Sequence, residues 1–306
     1  MEVLIISPTV LEKPTDEHLE YEKIQAMAQS KKKDSVEQKM SGIHLVENSE
    51  TEKGWELFAN EASGTSDSQW VLKKVKVQFF SKDNSSFTVT GDVGEIDGAS
   101  RDMIVRGNVI TTSSNGYSFK TDSLRYDSKL KQMSSSDSVE MKGPPDQKGT
   151  GIKLTGLGLL VLVDQNKMNI LNNVEAHKVI DKKNFDLKSS TAEFSNRNHE
   201  ALFSGNVKMN LGPSYVEAPK AFFKYSQQTK LLQTIVLNKG VKLAENDKRA
   251  TCDELEIDLV EDKMTLRGQP RVQQGSDEIR GQEIVFLDGG KKVKINQVNI
   301  KGKPPK

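Results

Sequence analysis

The chain is poor in the residues that most protein chemistry needs. A single cysteine, Cys252, stands among 306 residues, which excludes an internal disulfide and any cysteine-based zinc site. A lone thiol does not fix the redox compartment, though it is compatible with an oxidising one. Histidine is scarce as well: His18, His44, His177 and His199 are scattered, with no H-E-x-x-H spacing. No stretch approaches the ~20 apolar residues of a spanning helix. Neither sign of charge dominates, with 44 Lys and Arg against 43 Asp and Glu and a net charge of +1. There is therefore no bulk electrostatic case for a nucleic acid or an acidic membrane surface as partner. Lys291, Lys292 and Lys294 lack interleaved aromatics, which leaves RNA binding unsupported. Aromatics make up 6%, hydrophobic residues 35% and charged residues 28% of the chain. That is a polar but foldable composition, neither collagen-like nor wholly disordered. At ~150 residues per domain, the length suits about two domains.

Catalytic signatures are missing too. G-x-S-x-G does not occur. The Gly149-x-Gly151 and Gly156-x-Gly158 pairs lead into strand rather than a helix N-terminus, with no following Lys-Ser/Thr, so they read as turn and bend glycines and not as a phosphate cradle. Glu254, Glu256 and Asp258 fall on one face of a predicted strand. They could hold a calcium ion or act as paired acids; a solvated outer face is the favoured reading. Trp55 and Trp70 read as core or rim anchors. No cofactor and no metal is expected.

Two N-terminal features stand apart from the rest. Val3 to Leu11 (VLIISPTVL) is too short to span a bilayer, and Glu2 and the lack of a small-residue cleavage site speak against a signal peptide. It is either a loosely packed start or the outer end of a membrane anchor that begins upstream. Asp16 to Lys33 could form a helix, with Asp16 and Glu17 in its first turn and Lys31, Lys32 and Lys33 in its last. Its apolar stripe, Leu19, Ile24 and Met27, is thin, and residues 1–53 are expected to be a tether, partly helical or disordered.

From Gly54 onward the period is two. Val75, Val77 and Phe79 alternate with Lys74, Lys76 and Gln78; Phe87 and Val89 with Thr88 and Thr90; Leu255, Ile257 and Leu259 with Glu254, Glu256 and Asp258. Such alternation gives each strand one apolar and one wet face. Turn clusters at Ser81–Asn84, Ser113–Gly116, Leu211–Ser214 and Asp288–Gly290 separate the runs. The body is therefore expected to be all-β.

The runs also repeat. A glycine leads into a strand at Gly107-Asn108-Val109, Gly205-Asn206-Val207, Gly240-Val241 and Gly268 to Val272, the last three glycines lying 35 and 28 residues apart. Against unrelated hairpin glycines, the favoured reading is a stack of folded-over strand pairs. A single pair cannot cover its own apolar face, whereas stacked pairs can. Each glycine would then supply the bulge where a strand passes from one sheet into the other. A first domain is expected at 54–181 and a second at 182–306, the latter ending in a loose tail.

Several segments of the first block, VKVQFF (Val75–Phe80), FTVTGDVGEID (Phe87–Asp97), MIVRGNVITTSSNGYSFKTDSLRYD (Met103–Asp127) and IKLTGLGLLVLVDQNKMNILNNVEA (Ile152–Ala176), resemble the periplasmic domain of the LptC family. STAEFSNRNHEALFSGNVKM (Ser190–Met209), EAPKAFFKYSQQTKLLQTIVLNKGVKL (Glu217–Leu243) and ATCDELEIDLVEDKMTLRGQPRV (Ala250–Val272) resemble the OstA-like domain of the LptA family. The resemblance implies two tandem twisted β-jelly rolls and a role, without enzyme activity, in carrying lipopolysaccharide across the periplasm. It implies as partners an inner-membrane ABC extractor complex and further OstA-like bridge proteins, joined by edge-strand addition. It also implies an inner-membrane tether by one N-terminal helix in the full-length form; no such helix is read here, so either the start lies further upstream or the protein is free in the periplasm.

Alternation nominates as inward, lipid-contacting positions Val77, Phe79, Phe87, Val89, Tyr117, Phe119, Leu124, Tyr126 and Leu160 in the first block. In the second it nominates Phe194, Phe203, Val207, Phe222, Leu255, Ile257, Leu259 and Phe286. A carbohydrate-active enzyme or a surface scaffold on a parallel β-helix would also give short repeating strands. The enzyme would need acids and bases clustered on neighbouring coils, and no such cluster is evident.

Overall fold

The computed structural model describes residues 38–48, 53–64, 69–81, 85–144, 151–180, 183–195, 197–229, 231–296 and 299–301. The expected helix over Asp16–Lys33 and the apolar run Val3–Leu11 lie outside these residues. The described chain is a succession of strands: β1 (Gln38–Asn48), β2 (Lys53–Gly64), β3 (Gln69–Phe80), β4 (Ser86–Asp97), β5 (Met103–Ser113), β6 (Ser118–Asp127), β7 (Gln132–Lys142), β8 (Lys153–Leu162), β9 (Lys167–Ile180), β10 (Lys183–Ser189), β11 (Thr191–Ser195), β12 (Glu200–Leu211), β13 (Ser214–Tyr225), β14 (Leu232–Glu245), β15 (Lys248–Asp258), β16 (Lys263–Arg267), β17 (Arg271–Gln274), β18 (Asp277–Arg280), β19 (Glu283–Leu287), β20 (Lys292–Asn296) and β21 (Asn299–Lys301). One 3-10 turn, Val163–Gln165, interrupts them. Within the stretch 1–53 expected to be a tether, partly helical or disordered, the described residues include a strand. Gln38–Asn48 is a strand, antiparallel to β2, with Leu45 opposite Leu57.

The long strands are bent at mid-length. Pairing slips between Arg106 and Val109, between Ser204 and Val207, and between Asn238 and Val241. At these corners Gly107 and Asn108, Gly205 and Asn206, and Lys239 and Gly240 all have positive φ. The glycine recurrence seen in the sequence is thus a recurrence of bulges. At Gly268 the corner is complete enough that the two halves are separate strands. β16 pairs with one half of β15 and β17 with the other. A gap at Ser190 divides β10 from β11 in the same way, both pairing with β12.

Each corner sends the two halves of a strand into different walls of one antiparallel sheet folded over on itself. Phe79 of β3 meets Tyr126 of β6 across the interior, ring centroids 4.5 Å apart, although β3 and β6 are not paired. Apolar residues of both walls face inward and form one core from Trp55 to Ile284. The expected division at 181–182 falls between β9 and β10. These strands pair with each other from Val174–Ser189 to Ile180–Lys183, and β9 also pairs with β11. The two blocks consequently share one sheet and one core.

The outer faces carry the charge. Arg267 of β16 donates to Glu254 at 3.0 Å, Glu256 at 2.6 Å and Glu283 at 3.0 Å. Hydrogen bonds to these carboxylates, Glu256 foremost, hold its guanidinium above its ordinary pKa. Two of the three acids singled out in the sequence are thus salt-bridged. The third, Asp258, accepts the backbone N–H groups of Val260 and Glu261 at 2.9 and 3.0 Å.

Cys252 is buried on the inner face of β15, and burial, reinforced by Asp253 and Glu254, pushes its thiol up to about 12. Only the thiolate reacts with alkylating agents. A shift from an ordinary pKa of ~8.5 should therefore slow iodoacetamide labelling at pH 8 by about a thousandfold relative to a free thiol. Labelling followed by mass spectrometry, with and without urea, checks this: the rate should recover only on unfolding.

Candidate functional site

The interior is not uniform along the molecule. Through the first block it is filled by the protein itself. Val77, Phe79, Phe87, Val89, Phe119, Leu124 and Tyr126 are all buried, as are Phe194, Phe203, Val207 and Leu255 in the second block. Near the junction a string of rings crosses the space between the walls. Tyr117 lies 5.9 Å from Phe194, Phe194 6.1 Å from Phe203, Phe203 4.9 Å from Phe223, and Phe223 5.7 Å from Phe185 on the opposite wall. Tyr117 also lines a recess of about 40 Å³ with Asn115, Pro144 and Met168. Burial pushes its hydroxyl up to about 12.

Past this string, toward the C-terminal end, the walls stand apart around a cleft of about 490 Å³. That lies within the ~300–1,000 Å³ of small-ligand sites. One wall contributes Ile257, Leu259, Met264, Leu266 and Phe286, and the other Leu211, Leu243, Ala250 and Val272. Glu245, Lys248, Asp258, Asp262 and Lys263 stand among the lining residues. Around it β16 to β21, split at their corners, have three to five residues each, while β12 to β15 run through theirs over eleven to fourteen. A mouth with both signs of charge over an apolar floor accepts a ligand with an apolar body and a polar end. Among the described residues no group of three or more His, Cys, Asp or Glu is placed to hold a metal ion.

Of the residues nominated from alternation, Ile257, Leu259 and Phe286 line this cleft. Two others sit on the outer face. Leu160 is opposite exposed Ser134, and the inward residues beside it are Leu159 and Val161. Phe222 is opposite Leu202 and Val236, and the inward ring is Phe223. Both errors have one cause. At the corner β8 and β13 each pass one residue fewer than the strands on either side, so the inward series runs Leu154 then Leu159 in β8, and Ala218 then Ala221 in β13. Counting by twos across these two corners flips the face, whereas in β12 and β14, from Phe203 to Val207 and from Leu237 to Val241, it does not. Sequence reading missed the wall formed by Leu211, Leu243, Ala250 and Val272. Restarting the count after Gly240 and Gly268 would have found Leu243 and Val272.

Comparison with known families now decides the assignment. The model for lipopolysaccharide-assembly, LptC-related proteins matches residues 5–181, more than half of the chain. This chain belongs to the LptC-related family. A second model, the LptA/(LptD N-terminal domain) LPS transport protein, matches residues 186–288. An LptC-related block is thus followed directly by an LptA-type block, and the chain acts in lipopolysaccharide transport in the periplasm. No curated protein matches it in sequence. Among solved structures it is similar to LptH, the LptA homologous periplasmic component of the conserved lipopolysaccharide transport device from Pseudomonas aeruginosa, at 13% identity, over 39% of this chain and 95% of that chain, with a TM-score of 0.35. At that score the likeness adds nothing to the family assignment. In this LptC-related protein no helix among the described residues is long and apolar enough to cross a membrane.

Proposed function

We propose that this protein is a non-enzymatic link in a lipid bridge, holding the acyl chains of lipopolysaccharide in the cleft at its C-terminal end. The observation that carries this is the coincidence of an apolar, two-walled cleft with the LptA-type block of an LptC-related chain. Burying a methylene removes ~0.8 kcal/mol of exposure cost, so an acyl chain of about twelve carbons in water costs roughly 8–10 kcal/mol. A cleft that matches the apolarity of a bilayer cancels that cost without binding so tightly that onward flow stops. Direction is then supplied upstream, by an ABC extractor in the inner membrane, to which the full-length form is tethered. Further rolls dock by strand addition. Among the described residues β1 pairs only with β2, and β20 and β21 each pair with one strand, so both ends of the sheet offer a free edge.

Photo-crosslinking tests the reading. With a benzophenone amino acid at position 286, lipopolysaccharide should form an adduct; at position 222, on the outer face, it should not. The change Phe286→Asp should leave the melting temperature nearly unchanged, because the ring is only half-buried, and lower lipopolysaccharide binding at least about tenfold. Equal adducts at both positions, or none at 286, would sink the proposal.

A further inference from the structure

The filled interior of the first block contains hydroxyls that have no reason to be there if it is only a core. Thr111 and Ser113 of β5 point inward and are 1% and 2% exposed, yet neither Thr111 Oγ1 nor Ser113 Oγ has a hydrogen-bond partner. Their neighbours in register are apolar: Thr111 lies between Val89 and Phe119, and Ser113 beside Phe87. Behind them, toward the corner of the sheet, Thr121 Oγ1 and Ser135 Oγ are 3.0 Å apart and buried. In front, the backbone N–H of Ser113 donates to the carbonyl of Tyr117 at 2.8 Å, and Tyr117 lines the small recess. In register, Ser113, Thr111 and the Thr121–Ser135 pair thus occupy successive inward positions of β5, β6 and β7 among apolar neighbours. Leaving buried hydroxyls unsatisfied destabilises a fold by about as much as a lost hydrogen bond, and valine or alanine would fill both positions without that loss.

We propose that Thr111 and Ser113 form a polar subsite that takes a hydroxyl group carried on an acyl chain, when the walls part to admit one. The inference rests on the acyl-carrying role argued above and adds a chemical preference to it. Both hydroxyls can donate and accept, so each can pair with an alcohol. A plain methylene chain in the same position leaves them as unpaired as they are now. The subsite consequently favours hydroxylated over unsubstituted chains, through groups whose desolvation is already complete.

Displacement of a fluorescent fatty acid from the whole chain, using 3-hydroxytetradecanoic acid and tetradecanoic acid below their micelle concentrations, tests this. The expected result is an affinity about five- to tenfold higher for the hydroxy acid. The preference should vanish in Thr111→Val/Ser113→Ala, with the melting temperature equal to or above that of the parent. It should persist in Phe286→Asp, which spoils the cleft alone. Equal affinities in the parent protein, or a preference that survives the double substitution, would overturn the subsite while leaving acyl carriage intact. A preference lost in Phe286→Asp would assign it to the cleft and overturn the subsite as well. If neither acid displaces the probe, carriage itself fails. Should the double variant not fold, Ser113→Ala alone is expected to reduce the preference by about half of its fold-change.

Discussion

Phe194→Ala is expected to lower stability by about 3–5 kcal/mol, the usual cost of emptying a buried phenylalanine site. The loss should be visible from the far side of the junction. Phe194 touches Tyr117 of the first block and Phe203 of the second. Both tryptophans, Trp55 and Trp70, lie in the first block. Because β9 pairs with β10 and β11 and a single core crosses the junction, loosening the second block exposes apolar surface of the first. Urea unfolding followed by tryptophan fluorescence should show a lower midpoint in the variant, coincident with far-ultraviolet circular dichroism. A fluorescence transition that stays in place while the dichroism splits in two would show that the blocks melt independently.

Gly205→Val should have the second largest effect. Gly205 has φ +81°, in a region that residues with a Cβ enter at about 1–2 kcal/mol and β-branched residues rarely enter at all. An added Cβ would lie 2.5 Å from Ser190 Oγ and 2.7 Å from Ser190 Cβ. Ser190 has little room to retreat, since its N–H donates to the Gly205 carbonyl at 2.8 Å and so fixes one corner against the next. A loss of more than about 2 kcal/mol follows. Gly240 is the control. Its φ is +84°, but nothing lies within 4 Å of the added Cβ. Gly240→Ala should therefore cost only the backbone strain, about 1–2 kcal/mol. Thermal melts of the two variants should fall in that order.

These corners also explain how far the sequence could be read. Within a straight half-strand the period of two is sound, and Val77, Phe79, Phe87 and Val89 face inward as alternation requires. The Gly-Asn pairs announced two corners, at Gly107 and Gly205, because positive φ is easiest for those residues. Lys74, Asn173 and Lys239 also have positive φ, without a glycine in their place. Composition does not flag such sites. Leu160 and Phe222 were misplaced because the inward series changes parity at the corners of β8 and β13, and no rule of alternation alone would have corrected them. The N-terminal strand was hidden differently. Its residues Met40, Leu45 and Val46 are exposed, so Gln38–Asn48 lacks the half-buried pattern by which a strand is recognised. Tertiary distances were out of reach as well. Turn residues alone do not reveal where the two walls cease to touch.

The order of pairing has a consequence for how the chain comes into being. From β1 to β15 nearly every strand lies beside the one made just before it. Most all-β proteins fold slowly because their first strands must wait for distant ones. Here no early strand waits for a late one, and each hairpin can close within microseconds of its synthesis or export. The molecule can therefore be laid down from its N-terminal end like courses of brick, each new course finding its seat already built.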